Sequence, residues 1–129
     1  MTPKQIVEQF YNYNLAQDKE AIHSFHKDCK IHWNSSKGLT VLDYSMLKTI
    51  IEDIQKAYLN FCYKLTHSIS ENETVCVRYT IFATTIEYPS KEVALGHFIS
   101  IVEVKDNKIF KIFQISHEAD NSLTNMSSF

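Results

Sequence analysis

Apolar residues recur at helical spacing in the first part of the chain and at every second position in the later part. Thr2, Pro3 and Gln5 suit a helix start, because threonine can accept from a first-turn amide while glutamine reaches back to the cap. The positions that follow predict one apolar stripe on this helix: Ile6, Val7, Phe10, Tyr11 and Tyr13.

Two more helices are predicted before the strands begin. Asp18 is the predicted cap of a short helix that buries Ile22 and Phe25. Asp43 is the predicted cap of a third helix with its own apolar face: Leu47, Ile50, Ile51, Ile54 and Tyr58. We therefore expect residues 1–58 to be helical and residues 59–117 to form strands.

From Asn60 onward the apolar period is two, which is typical of strands with one buried face. The first predicted strand buries alternate residues: Phe61, Tyr63, Leu65, His67 and Ile69. The second, after a turn at 71–73, does the same: Val75, Val77, Tyr79, Ile81 and Ala83. The third runs from about Val93 to Val104, after a turn at Pro89-Ser90, and the fourth from Ile109 to about Ser116.

Asp106-Asn107 is predicted to be a two-residue hairpin loop, because both residues tolerate the positive φ that such a loop requires. An uninterrupted ladder from this loop pairs His97 with Ser116 and puts His97 and Gln114 on one face, which we take as the inner one. Phe98, Phe113 and Ile115 then lie on the other face. That face is also apolar, so we expect a second copy of the chain to cover it.

Composition limits the function classes. The chain has 129 residues, 44% of them hydrophobic, and a formal net charge of −2, so no basic footprint for nucleic acid or an anionic membrane is present. The cysteines, Cys29, Cys62 and Cys76, are odd in number and irregularly spaced, which favours reduced thiols. With no apolar stretch of membrane-span length and no signal peptide expected, we predict a cytoplasmic protein.

The chain resembles the SnoaL-like branch of the nuclear-transport-factor-2-like superfamily over about residues 2–117. The resemblance rests on the paired-helix opening, on Cys29-Lys-Ile-His-Trp-Asn, on Val75-Cys-Val-Arg-Tyr-Thr and on the last strand pair from Phe98 to Gln114. It implies one α+β domain over residues 1–129. Three N-terminal helices would pack on a curved, mainly antiparallel sheet that forms a cone, with a pocket at its open end and usually a homodimer across the outer sheet face.

The polar tail at 118–129 is expected to fray or to dock over the pocket mouth. Three residues are its candidate docking groups: Leu123, Met126 and Phe129.

The family's catalytic residues match poorly. The ketosteroid-isomerase acid and base positions fall on Phe10, Trp33 and Gly96, which cannot transfer protons. The arginine of epoxide-hydrolase-like members matches Arg78, but Thr80 and Gln114 stand in place of the carboxylates, and a neutral amide cannot take a proton from water. The aspartate base of the polyketide cyclases has only two nearby counterparts: Gln114 and His117.

His97 and Gln114 are the main candidates for the pocket. His97 is the best candidate for a catalytic group, because imidazole titrates near neutral pH. The alternative is a core histidine hydrogen-bonded to Ser116 or Gln114.

Three further residues are candidate ligand-binding groups. Arg78 can clamp a carboxylate, or it can face solvent or a dimer interface. His32 and Trp33 follow the predicted second helix at the segment that rims the pocket, where the tryptophan is either a stacking wall or core.

No metal or cofactor is predicted. A ligand-rich run contains five candidate groups but no standard zinc spacing: His23, His26, Asp28, Cys29 and His32. Phosphate-cradling glycine loops and nucleophile elbows are absent.

Three functions remain open at the sequence level. The first is a homodimer that binds a small apolar or partly polar molecule. The second is an isomerase, cyclase or hydrolase that uses a pocket histidine. The third is a non-catalytic dimeric scaffold whose pocket is filled by aromatic residues, which predicts no cavity.

Overall fold

The computed structural model describes residues 1–129 and contains three α-helices and one six-stranded sheet. The helices are α1 (Pro3–Tyr11), α2 (Tyr44–Ala57) and α3 (Leu123–Ser128). The strands are β1 (Phe25–Ser35), β2 (Gly38–Asp43), β3 (Tyr58–Glu71), β4 (Thr74–Thr85), β5 (Glu92–Lys105) and β6 (Lys108–Glu118).

The sheet is mixed and curved, with strand order β2-β1-β6-β5-β4-β3. Every neighbouring pair is antiparallel except β1 and β6, which are parallel. Helix α1 packs mainly against β3 and β4, and helix α2 against β1, β2 and β3. The 22 residues of the main hydrophobic core lie between the helices and the inner face of the sheet. None of the helices has the length and apolar character needed to cross a membrane.

The predicted starts of the first and third helices are confirmed. The Thr2 hydroxyl accepts a hydrogen bond from the Gln5 amide at 3.2 Å, and the Gln5 side chain accepts one from the Thr2 amide at 2.9 Å. The Asp43 carboxylate accepts a hydrogen bond from the Met46 amide at 2.9 Å. Each cap satisfies an amide that has no partner within its helix.

The prediction of three N-terminal helices is wrong at the second one. Only one 3-10 turn forms, at Ala21–Ser24, and β1 and β2 follow it, so residues 1–58 are not all helical. The error has a physical cause. Ile22 and Phe25 are three positions apart, as on one face of a helix, but Ile22 lies in the 3-10 turn whereas Phe25 begins β1 and pairs with Ile109 of β6. The third α-helix, α3, lies near the other end of the chain.

The predicted alternation is confirmed in β4, where five residues are buried: Val75, Val77, Tyr79, Ile81 and Ala83. It holds in β3 only as far as Leu65. A register shift between Leu65 and His67 then turns His67 and Ile69 to the outer face, where they pair with Arg78 and Cys76.

The β5–β6 hairpin has the predicted loop and a different register. Asp106 and Asn107 have φ values of 54° and 60°. Phe110 is an extra residue, because Val104 pairs with Ile109 whereas Glu103 pairs with Lys111. A shift of one residue reverses the faces of every later position. His97 therefore pairs with His117 on the outer face, and Phe98 and Gln114 face inward.

Candidate functional site

The helices and the inner face of the sheet enclose a cavity of about 150 Å³, here called the inner chamber. Eighteen residues line it, and seventeen of them are hydrophobic. Gln114 of β6 is the exception. Its amide makes no hydrogen bond within the protein, and it remains accessible from the cavity. One uncommitted donor and acceptor therefore lies in an otherwise apolar chamber.

A second cavity of about 270 Å³, here called the mouth, adjoins the inner chamber. Trp33, Phe61, Ile81 and Phe98 line both cavities and so form a constriction between them. We call the two cavities together the funnel. The rest of the mouth lining is mostly polar: Ser35, Ser36, Lys37, Leu95, Gly96, Ser116, His117 and Glu118.

Trp33 is fixed in the constriction by a hydrogen bond. Its indole Nε1–H donates to the Ser116 hydroxyl at 2.8 Å. Its ring lies 6.3 Å from that of Phe98, and the Phe98 ring is nearly parallel to that of Tyr79, with centroids 5.1 Å apart. A column of aromatic rings therefore runs from the constriction to the buried tyrosines.

Gly96 leaves room for the Phe98 ring. A Cβ atom at position 96 would lie 3.1 Å from Cε1 of Phe98 and 3.4 Å from the carbonyl oxygen of His117. These distances are tighter than ordinary contact. A side chain at this position would displace the Phe98 ring, which is part of the constriction.

Three buried tyrosines lie beside the chamber: Tyr11, Tyr63 and Tyr79. The hydroxyls of Tyr79 and Ser100 are 3.0 Å apart, and burial raises the pKa of Tyr79 to about 12. Burial also raises the pKa of Tyr11 and of Tyr63 well above the ordinary value, with the neighbouring phenols as a smaller cause. The three phenols are neutral at neutral pH, so they offer hydrogen bonds rather than a base.

His97, predicted on the inner face, lies on the outer face, because the extra residue Phe110 reverses the register. Its Nδ1 is 2.8 Å from the Thr80 hydroxyl and its Nε2 is 2.6 Å from the Asn125 amide oxygen. Since an amide oxygen can only accept, Nε2 carries a proton. Both nitrogens are bonded within the protein, as expected of a buried histidine.

Arg78 and His32 also point away from the funnel. The Arg78 guanidinium donates to the Thr66 hydroxyl at 2.9 Å and to the carbonyl oxygens of Ser128 and Phe129 at 3.1 and 3.0 Å. The His32 ring stacks on Phe113 with centroids 4.9 Å apart, and its Nδ1 is buried without a hydrogen-bond partner. Of the five candidate residues, only Trp33 and Gln114 face the funnel.

The ligand-rich run does not gather into a cluster. The His26 Nδ1 accepts a hydrogen bond from the Asp28 amide at 3.0 Å, and its Nε2 lies 3.4 Å from the Asp106 carboxylate. The His32 ring stacks on Phe113, whereas the His26 ring contacts Phe110. No group of three or more metal-ligating side chains comes together in the structure.

The constriction and the tyrosine cluster are not predicted by the sequence. Phe61, Ile81, Tyr63 and Tyr79 had been predicted to be buried, and alternation distinguishes inner from outer positions in β3 and β4. It does not separate residues that fill a core from residues that surround a cavity. Phe98 was missed because the bulge at Phe110 reversed its predicted face.

No family model matches the chain, and no curated protein sequence does either. Solved structures do match. IdmH from Streptomyces antibioticus superposes with a TM-score of 0.71 at 16% identity, covering 98% of this chain and 99% of that one. An LEH-like epoxide hydrolase from M. tuberculosis gives 0.70 at 15% identity, covering 89% and 82%.

A third match is an NTF2-like protein of unknown function from Cytophaga hutchinsonii. It gives a TM-score of 0.61 at 15% identity and covers 91% of each chain. At sequence identities this low, the structural superpositions establish the fold and leave the activity open. The chain has the nuclear-transport-factor-2-like fold.

Proposed function

We propose that this protein binds a compact, mainly apolar molecule in the funnel. The apolar body of the ligand occupies the inner chamber, and one of its polar atoms hydrogen-bonds to Gln114. The observation that carries the proposal is the unpaired amide of Gln114 in a chamber whose other seventeen lining residues are hydrophobic. Apolar pockets with a few placed polar groups are typical of small-molecule sites.

Binding is better supported than catalysis. No carboxylate, histidine, lysine or cysteine lines the inner chamber, and general acid–base catalysis needs a group that titrates near the working pH. The tyrosines keep their protons because burial raises their pKa values. An enzyme of the isomerase or hydrolase kind would have to place its acid and base at the mouth, where His117 and Glu118 lie. The cavity of about 150 Å³ also favours a binding site over an aromatic-filled scaffold.

We also propose that the protein is a homodimer formed across the outer sheet face. One row of side chains crosses all six strands there, and it contains no charged residue: Val41, His32, Phe113, Ile101, Cys76 and Ile69. Ile99 and Ile115 extend the row on the neighbouring positions. We call these eight residues the outer stripe. Phe98, predicted to belong to this surface, faces inward instead. An apolar surface of this extent favours a protein partner.

The test of the binding proposal uses N-phenyl-1-naphthylamine, a neutral apolar fluorophore, titrated into the wild-type protein. Ile81→Phe adds volume at the constriction and should weaken probe binding by about tenfold or more. Ile69→Phe makes the same change on the outer stripe, away from the funnel, and should leave the affinity unchanged. Loss of affinity in the Ile69 variant alone would place the probe on the outer face and contradict the proposal, as would no binding to the wild type.

A further inference from the structure

Residues 119–129 do not dock over the mouth but on the outer face of the sheet, and we call them the clasp. They begin where β6 ends. The Ala119 amide donates to the Leu95 carbonyl at 3.3 Å. The Asn121 side chain accepts from the Ala94 amide at 3.0 Å and donates to the Ala94 carbonyl at 3.2 Å. Ala94 of β5 lies beyond the end of β6 and has no partner there. The side-chain amide of Asn121 takes the place of that partner.

The far end of the clasp is held by β4 and β5. The Phe129 ring lies 4.6 Å from the His97 ring, and the Arg78 guanidinium carbon lies 3.8 Å from the Phe129 ring centroid. Arg78 also donates to two clasp carbonyl oxygens, and His97 donates to Asn125. Arg78 and His97 therefore form a docking site for a peptide segment on the outer face.

This docking buries little apolar surface. Helix α3 has no buried residue, and Leu123 is 90% exposed. The main hydrophobic core contains no residue of the clasp. A segment with few buried apolar contacts opens at a small fraction of the global unfolding free energy. The clasp is thus an element that can leave its site while the body of the protein stays folded.

The clasp bonds to residues that form the rim of the mouth. Leu95 and Gly96 line the mouth beside Ala94, and His117 and Glu118 line it immediately before Ala119. The groove under the clasp, of about 440 Å³, shares Phe98, Ser116 and His117 with the mouth. Ser116 is also the residue that holds Trp33 in the constriction.

We propose that the outer face carries a peptide-docking site for residues 119–129, and that docking of this clasp fixes the rim of the mouth and so is coupled to ligand binding. The coupling rests on the proposed binding function, whereas the docking site does not. A ligand that prefers the fixed rim must in turn hold the clasp in place, because coupling between two binding events is reciprocal.

The test uses the full chain with Asn121→Ala and Phe129→Ala combined, and Leu123→Ala as the matched control in the same segment. Amide exchange is measured in three regions: the clasp, the rim (residues 94–97 and 116–118) and β4 (residues 75–81). The release variant should exchange about tenfold faster in the clasp and faster in the rim, with β4 unchanged. Its affinity for N-phenyl-1-naphthylamine should fall by about fivefold, and the control should match the wild type.

A wild-type clasp that exchanges as fast as unstructured peptide would overturn the docking site. A released clasp with an unchanged rim and unchanged probe affinity would overturn the coupling. If the wild type binds no probe, the binding function fails. Amide exchange in the rim then still shows whether the clasp fixes the mouth. Failure of the binding function can therefore be distinguished from failure of the clasp proposal.

Discussion

His97 is a polar residue held in place on both sides, between Thr80 and Asn125. Replacing it with leucine keeps the volume but leaves the buried Thr80 hydroxyl without its partner. We expect His97→Leu to lower the free energy of unfolding by about 1–3 kcal/mol, measured by urea denaturation.

His117 is the matched control for this change. It pairs with His97 across β5 and β6 but is exposed and makes no side-chain hydrogen bond. His117→Leu should change the free energy of unfolding by no more than about 0.5 kcal/mol. Equal stability of the two variants would show that the Thr80–His97–Asn125 contacts contribute nothing to folding.

The buried tyrosines predict a loss of stability at alkaline pH. The pKa of Tyr79 is about 12 in the folded protein, above the ordinary value of 10.0, so folding favours the neutral phenol. That contribution is fully present below the unfolded-state pKa and is lost as the pH rises through the folded value. We expect urea melts between pH 10 and 12 to give a steadily falling free energy of unfolding.

Tyr79→Phe should make this pH dependence shallower, although it leaves Ser100 without a partner at every pH. Tyr88→Phe serves as the control, because Tyr88 is 66% exposed and should leave the slope as in the wild type. Phenolate absorbance gives an independent reading. If all tyrosines ionise near pH 10 while the protein stays folded, the claim that burial raises the pKa of Tyr79 is wrong.

Single residues show how far sequence reasoning reaches. Gln114 and Trp33 are predicted at the pocket and do face the funnel. The predicted register of β5 and β6 is nevertheless wrong, because Gln114 shares the inner face with Phe98 and not with His97. His97 was expected beside it and lies on the opposite face. Hydrophobic alternation fixes which residues share a face only between bulges, and no property of Phe110 marks it as an extra residue.

At the scale of the elements, local signals with their own chemistry were predictable. The caps at Thr2 and Asp43 and the loop at Asp106-Asn107 depend on neighbouring residues alone, and all three are confirmed. The first strand was not predictable in the same way. Its burial pattern is set by its pairing with β6, which is remote in the sequence. The residue pattern within β1 alone therefore does not reveal it.

The hairpin loop allows a direct test of its geometry. Both loop residues have positive φ, which asparagine tolerates and β-branched residues do not. Asn107→Val should therefore lower the free energy of unfolding by about 1–2 kcal/mol. Asn107→Gly should leave it unchanged or raise it slightly. Urea melts of both variants check the prediction, and a valine variant as stable as the wild type would rule out the positive φ.

At the scale of the whole molecule, the outer stripe predicts a dimer. Ile101 and Phe113 pair across β5 and β6 and are 46% and 41% exposed in the single chain. Light scattering at micromolar concentration should give a mass of twice the 15.0 kDa chain. Phe113→Lys should give a monomer, because a lysine there would have to be buried against the partner's apolar surface.

Leu123→Lys is the control for the dimer test, since Leu123 is 90% exposed and lies outside the outer stripe. It should leave the dimer intact. A wild-type mass of 15.0 kDa would contradict the dimer. If the Phe113→Lys variant is still a dimer, the interface lies on a surface other than the outer stripe.

The single parallel pairing, β1 with β6, sets the order in which this chain can fold. Strands β3 to β6 form a meander of successive antiparallel neighbours, so each can pair as soon as the next one exists. Strand β1 has to wait for the last strand: Trp33 and Ser116, which it brings together, are 83 positions apart. Contacts between remote segments carry a high loop-closure cost and form slowly. We therefore expect the constriction of the funnel to close last, when the hairpin of β1 and β2 joins the finished meander through the pairing of β1 with β6.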